Sequence, residues 1–179
     1  TWLFYRFDRR VPRPPLPGCT HIPVDITSDD NLQDGLRVLQ VHHGTQVAPA
    51  VYLAAYYDFL GKPSPKYDAI TVEGTRRLLR GLCMGGFEVE QFVFSSTMLL
   101  HKPGEPGEFI TEEWPLEPTW AYLESKARTE ALIRKERGEI PAVILRLPVS
   151  TMTFITRRRW RYRPRAAIPR RPRATSPRS

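Results

Sequence analysis

Apolar residues in this chain fall into short unbroken runs, separated by longer stretches in which they recur every three or four positions. Trp2 to Phe7 reads as a buried strand closed by Asp8, and a loop with Pro12, Pro14, Pro15 and Pro17 follows. His21 to Val24 is a second strand ending at Asp25. Ser28 is placed to cap a helix whose first turn holds Asp29 and Asp30, where the helix dipole favours acids. Leu32, Leu36 and Leu39 carry that helix to about Gln40. Ala48 to Leu53 is a third strand, followed by the small residues Ala54 and Ala55. Ser64-Pro65 starts a second helix, which Ile70, Leu78, Leu79 and Leu82 continue and Gly85-Gly86 end. Gln91 to Phe94 is a fourth strand running into Ser95-Ser96-Thr97. A Pro/Gly-rich loop then leads to a third helix around Tyr122, which ends near Gly138, and Ala142 to Leu145 is a fifth strand.

Strands that are apolar throughout and alternate with helices predict an α/β fold, a parallel sheet covered on both faces. Ligands of such sheets bind at the carboxyl ends of the strands. Asp8, Asp25, Ala54, Ala55, Ser95, Ser96 and Thr97 all fall at those ends. From about Met152 the pattern is lost. The sequence predicts one folded unit over residues 1–150 and a disordered Arg/Pro-rich tail over residues 151–179, which has too little apolar surface to offset the entropy of ordering.

Charge changes the picture only at that tail. The net charge of +8 suggests a nucleic-acid partner, but residues 157–179 hold ten Arg and no acid. The rest of the chain carries 17 basic against 19 acidic residues, which gives no reason to expect a nucleic acid or an anionic membrane. Cys19 and Cys83 form no disulfide framework, and the four His show no metal-ligand spacing, so a cytoplasmic setting and no metal are expected. The longest apolar run, Ala48 to Tyr57, is too short to cross a bilayer.

Tyr122 and Lys126 stand four apart, which on a helix puts a phenol and an ammonium on one face. A nearby cation favours phenolate and so lowers a phenol pKa that is otherwise near ~10. A phenol tuned this way can exchange a proton with a substrate hydroxyl at neutral pH. That is half of an alcohol–ketone reaction. The hydride half has no side-chain carrier, so a nicotinamide cofactor is implied.

Five segments in order, Val51-Tyr-Leu-Ala-Ala55, Thr71-Val-Glu-Gly-Thr75, Phe92-Val-Phe-Ser-Ser-Thr97, Tyr122 to Lys126, and Val143-Ile-Leu-Arg-Leu-Pro148, resemble the extended short-chain dehydrogenase/reductases, the NAD-dependent epimerase/dehydratase family. The resemblance runs from about Leu3 to Pro148 and implies a Rossmann-like doubly wound sheet. It implies that Thr97 holds the substrate oxygen and that Tyr122 exchanges its proton. Lys126 is implied to hold the nicotinamide ribose and depress the Tyr122 pKa. Asp8 is implied to bind the adenosine ribose, Asp25 to contact the adenine, and Leu53, Ala54 and Ala55 to line the cofactor. Asp8 favours NAD, while Arg9 and Arg10 leave NADP open. Tyr56, Tyr57 and Phe59 are expected as core or lid aromatics. The implied substrate is a small molecule such as a nucleotide-sugar, and a homodimer is a family expectation.

The chain also departs from the family. None of its eleven Gly forms Gly-x-Gly-x-x-Gly or Gly-x-x-Gly-x-x-Gly. The first strand and its Gly-rich, pyrophosphate-cradling turn are therefore expected to be missing. In the family sheet that strand lies between the second and fourth, so its loss leaves two half-sheets with unpaired edges. Tyr52 stands where the family has His, and Thr71 where it has an Asn that supports a proton-relay water. The chain as given is expected to be an inactive fragment. Two alternatives remain: a hydroxysteroid-type dehydrogenase/reductase, and nucleic-acid binding through the Arg-rich tail.

Overall fold

The computed structural model describes residues 3–58 and 60–148. Trp2, Phe59, the expected tail and the domain boundary before it lie outside the described residues. In chain order the elements are β1 (Phe4–Asp8), β2 (Cys19–Pro23), α1 (Asp29–His43), β3 (Gln46–Val47) and β4 (Ala50–Tyr52). A π-helical turn (Tyr67–Val72) then runs into α2 (Glu73–Met84), followed by β5 (Glu88–Val89) and β6 (Phe92–Thr97). A 3-10 turn (Met98–Leu100), α3 (Ala121–Glu136) and β7 (Ala142–Leu147) complete the order. This is a partial Rossmann-like α/β fold.

Local chemistry accounts for the helices. The Ser28 hydroxyl accepts from the Asn31 N–H at 3.3 Å, Asp29 and Asp30 fill the first turn of α1, and its last carbonyls are closed by Gly44 at φ 90°. Leu32, Leu36 and Leu39 of α1 and Leu79 and Leu82 of α2 are buried with Ile22, Val24, Phe92, Phe94 and Ile133 in one core. Each such side chain contributes about 1.5–3 kcal/mol. Gly81 makes the close α1–α2 approach possible, because a Cβ there would stand 2.5 Å from Leu36 Cδ1.

Every strand pair is parallel, but the sheet is not continuous. β1 pairs only with β2, from Phe4 opposite Cys19 to Asp8 opposite Pro23. β6 lies between β4 and β7, and β3 pairs with β5 as a separate two-residue ladder. Between the free edges of β1 and β4 runs a groove of about 1300 Å³, lined by every residue of both strands and floored by the core residues Val24, Leu36, Leu39 and Leu82 with Leu78 beside them. Among the described residues no strand occupies it. The two half-sheets expected from the sequence are therefore present.

Phe4 is 65% and Val51 56% exposed, one on each strand that lines the groove. Parallel edges with exposed apolar side chains pair readily with other chains. The protein should therefore self-associate as concentration rises, and Phe4→Lys with Val51→Lys should return it toward monomer in sedimentation velocity. Association unaffected by both lysines would place the contact elsewhere.

Candidate active site

The strand β6 and the helix α3 bring the site together. Lys126 lies in the first half of α3, only 2% exposed, with its ammonium donating to the Ser95 carbonyl oxygen at 2.5 Å. The ammonium also stands 4.6 Å from the centre of the Phe94 ring and 5.8 Å from that of Tyr122. Burial depresses the Lys126 pKa to about 8, against an opposing contribution from the Glu130 carboxylate.

Tyr122 is half-buried. Its ring meets Tyr57 edge-on at 5.0 Å and leans on Trp120 at 5.2 Å, and Tyr57 and Trp120 touch at 5.8 Å. Here the structure corrects the sequence expectation. The Tyr122 phenol is raised above its ordinary pKa, first by burial and then by the neighbouring phenols of Tyr57 and Tyr67. Burial outweighs any favouring of phenolate by the Lys126 ammonium, which donates to the Ser95 carbonyl oxygen.

β6 ends in three hydroxyls with three different partners. Ser95 donates to the Tyr52 carbonyl at 3.2 Å, and Ser96 donates to the Glu130 carboxylate at 2.6 Å. Thr97 accepts from the Leu99 N–H at 3.3 Å and closes the 3-10 turn. Thr97 is thus a buried residue at the strand end from which Ser95 reaches Lys126, its hydroxyl oxygen engaged by backbone.

Of the seven residues implied for the cofactor, five share one place, and Tyr122 and Lys126 are not among the groove's lining. Asp8, Asp25, Leu53, Ala54 and Ala55 all line the groove between β1 and β4. Asp8 accepts from the Arg10 N–H at 3.1 Å and pairs with Arg6, and these contacts hold its carboxyl below the usual range. Asp25 accepts from the Thr27 hydroxyl at 2.6 Å and its N–H at 2.9 Å and lies 3.3 Å from Arg9, with the same effect. No residue lining the groove is glycine. Thr27, the residue before the Ser28 cap, lines it, but the turn that opens α1 carries two acids. An anionic pyrophosphate therefore finds no cradle among the described residues.

The two positions that depart from the family are structural. Tyr52 is buried between Phe92 and Phe94 and donates to the Ile70 carbonyl at 3.0 Å, and burial lifts its pKa to about 12. Gly74 makes room for it, since a Cβ there would stand 2.8 Å from the Tyr52 hydroxyl. Thr71 is fully buried and accepts from the Tyr56 N–H at 3.2 Å, so it anchors the loop after β4. Sequence reasoning missed Glu130, Trp120 and Tyr67. The available signal for Glu130 was its place four residues after Lys126 on the same helix. No His, Cys, Asp and Glu group fit for a metal occurs among the described residues, and no helix among them is long and apolar enough to cross a membrane.

Solved structures of short-chain dehydrogenase/reductase and epimerase type share this fold. A short-chain dehydrogenase/reductase superfamily protein from Agrobacterium tumefaciens with bound NAD is 28% identical, with a TM-score of 0.59 over 79% of this chain and 40% of that chain. The Bordetella bronchiseptica enzyme WbmG in complex with NAD and UDP is 24% identical, with a TM-score of 0.60 over 80% and 44%. RMD from Pseudomonas aeruginosa complexed with NADPH is 22% identical, with a TM-score of 0.57 over 76% and 46%. The present chain spans less than half the length of these structures. No curated protein matches it. The model of the 3-beta hydroxysteroid dehydrogenase/isomerase family matches residues 18–145, and the chain belongs to that family.

Burial of Lys126 has a measurable consequence. Its pKa is about 8 folded and 10.5 as the ordinary value, so between these limits the unfolded state holds more protons. Stability therefore rises with pH across that window and is fully penalised below it. Relative to Lys126→Met, the protein should gain about 3 kcal/mol from pH 8 to 10.5 in denaturant titrations. A pH-independent difference would mean that the ammonium is solvated.

Proposed function

We propose that this chain carries the substrate-side half of an NAD(P)-dependent oxidoreductase site of the epimerase/dehydratase type, acting on a hydroxylated substrate, with Tyr122 as the acid/base. The observation that carries this reading is the buried Lys126 cation, held over the end of β6 beside Tyr122. A buried ammonium has a solvation cost, and its surroundings here are a carbonyl, an aromatic ring and a phenol. A site that must receive electron-rich oxygens fits that arrangement.

The residues present fit the two ends of a dinucleotide and not its middle. Asp8 and Asp25 would take the adenosine end, Leu53, Ala54 and Ala55 would let it lie close to the backbone, and Lys126 would take the nicotinamide ribose. A bound nicotinamide would supply the hydride chemistry. Tyr122 would hand its proton to, or take one from, a substrate oxygen; its raised pKa keeps the phenol protonated at neutral pH, so taking a proton requires that bound substrate or cofactor first lower it. Thr97, once its contact to the Leu99 N–H is exchanged for substrate, would orient that oxygen. Tyr57 and Trp120 would form the wall against which the substrate ring rests.

This substrate is read first as a nucleotide-sugar, the chemistry closest to the NAD and UDP held by WbmG. A hydroxysteroid is the second reading. The family match favours it, and so does the aromatic wall, which offers ring faces rather than hydrogen bonds.

The chain as given should show no NAD binding in the micromolar range by calorimetry and no turnover, and a micromolar Kd would overturn that expectation. The catalytic reading is tested by fusing a strand and Gly-rich turn ahead of Leu3 and assaying NADH formation with a UDP-hexose and a 3-hydroxysteroid. One of the two should be oxidised, and Tyr122→Phe should lower the rate by about 10²–10⁴-fold. Turnover within a few-fold of the parent in that variant would refute Tyr122 as the acid/base.

A further inference from the structure

Glu130 is fully buried, one helical turn after Lys126 on α3. One carboxylate oxygen accepts from the Ser96 hydroxyl at 2.6 Å and from Arg146 Nε at 3.1 Å. The other accepts from Arg146 Nη2 at 2.7 Å and Arg134 Nη2 at 3.1 Å. Arg146 continues the network, donating through Nη1 to the Glu112 carbonyl at 3.0 Å and lying 3.1 Å from His101 Nε2. Burial alone would raise the Glu130 carboxyl, but the hydrogen bonds from Arg146 and Ser96 outweigh it and hold the group ionised, below the usual carboxylate range.

A buried carboxylate is costly unless every oxygen is paired, and this one is. Its placement is informative. Ser96 sits between Ser95, which receives the Lys126 ammonium, and Thr97. Pairing Glu130 to Ser96 therefore fixes how far α3 can slide along β6, and with it where Lys126 meets Ser95. Glu130 is also the charged group that supports the Lys126 cation against burial. Around that cation stand Tyr122 and Glu130 on its own helix and Phe94 from β6, with Arg146 from β7 behind Glu130, while Tyr67 from the π-helical turn and Tyr57 face Tyr122.

We propose that Glu130 is a positioning residue for the Tyr122–Lys126 pair, locking α3 onto the end of β6 and holding Lys126 in its charged form at neutral pH. This rests on the reading of Lys126 as the functional cation. Its own effect is visible without cofactor or turnover.

The experiment follows the Lys126 side chain in the whole chain by NMR of labelled lysine, with the signal assigned by its loss in Lys126→Met. The wild-type signal should titrate near pH 8. In Glu130→Gln the midpoint should fall by about one to two pH units, the effect of unit charges about 6–10 Å apart at an effective dielectric of 20. Glu130→Asp, which keeps the charge, should restore it in part. Glu130→Gln with Arg146→Met leaves no unpaired buried charge and guards against simple unfolding, and because Arg146 carries the opposite charge its midpoint is compared with that of Arg146→Met alone, from which the same fall is expected. A midpoint unchanged in either folded variant overturns the proposal and makes Glu130 a purely structural pair for Arg146. Because no cofactor is involved, such a result leaves the Tyr122→Phe assay to decide the functional reading by itself.

Discussion

The hydrogen bond from the Lys126 ammonium to the Ser95 carbonyl oxygen is the constraint around which the described half of this fold is organised. A lysine at the sixth position of a helix that faces the sheet must either stretch to solvent or find partners inside. Here it finds a carbonyl at the end of the central strand, a phenylalanine face below and a carboxylate one turn on. Each partner belongs to an element that has no freedom of its own. β6 is held on both sides by β4 and β7, and Glu130 is bound to Ser96 and Arg146. The cation therefore cannot move without disturbing the sheet, and Tyr122 sits on that fixed base.

The groove side of the molecule has the opposite character. Asp8 is satisfied by Arg6 and Arg10 and Asp25 by Thr27, each two residues away, and Asp25 also pairs with Arg9 just after β1. Their contacts order turns and do not reach across the groove. The strands that carry them end in open edges, with apolar side chains toward a space of about 1300 Å³. Polar satisfaction on the Lys126 side is tertiary, and on the Asp8 side it is local. This contrast is why the first half-site reads as preorganised and the second as a lining that needs a partner.

Much of this was legible in the sequence. The unbroken apolar runs at Phe92–Phe94 and Ala142–Leu145 announced parallel strands, although only β6 is buried and Leu145 of β7 is 44% exposed. Ser28 and its two acids announced α1, and the missing Gly-rich turn announced the split sheet. Other features had no local signature. The pair Gln46–Val47 with Glu88–Val89 is too short to show a period. The π-helical turn at Tyr67–Val72 changes hydrogen-bond partners without changing the kind of side chain needed, and the Ser64-Pro65 start lies just before it. Glu130 was hidden because its partners come from Ser96 and Arg146, far apart in the chain.

The sign of the Tyr122 shift shows where sequence reasoning of this kind fails. Spacing places a phenol and an ammonium one turn apart, and Coulomb's law then favours phenolate. Burial acts on both groups at once, disfavouring the phenolate and the ammonium alike. The ammonium escapes by pointing at a carbonyl, and the phenol is left among other phenols. In this arrangement Lys126 is charged and Tyr122 is protonated at neutral pH, so the pair is set to give a proton before it takes one. Entry of a substrate oxygen or a ribose hydroxyl beside Lys126 would change the balance by adding an acceptor for the Tyr122 proton. Helix spacing alone therefore does not set the protonation of the pair; burial and the partners of each group do.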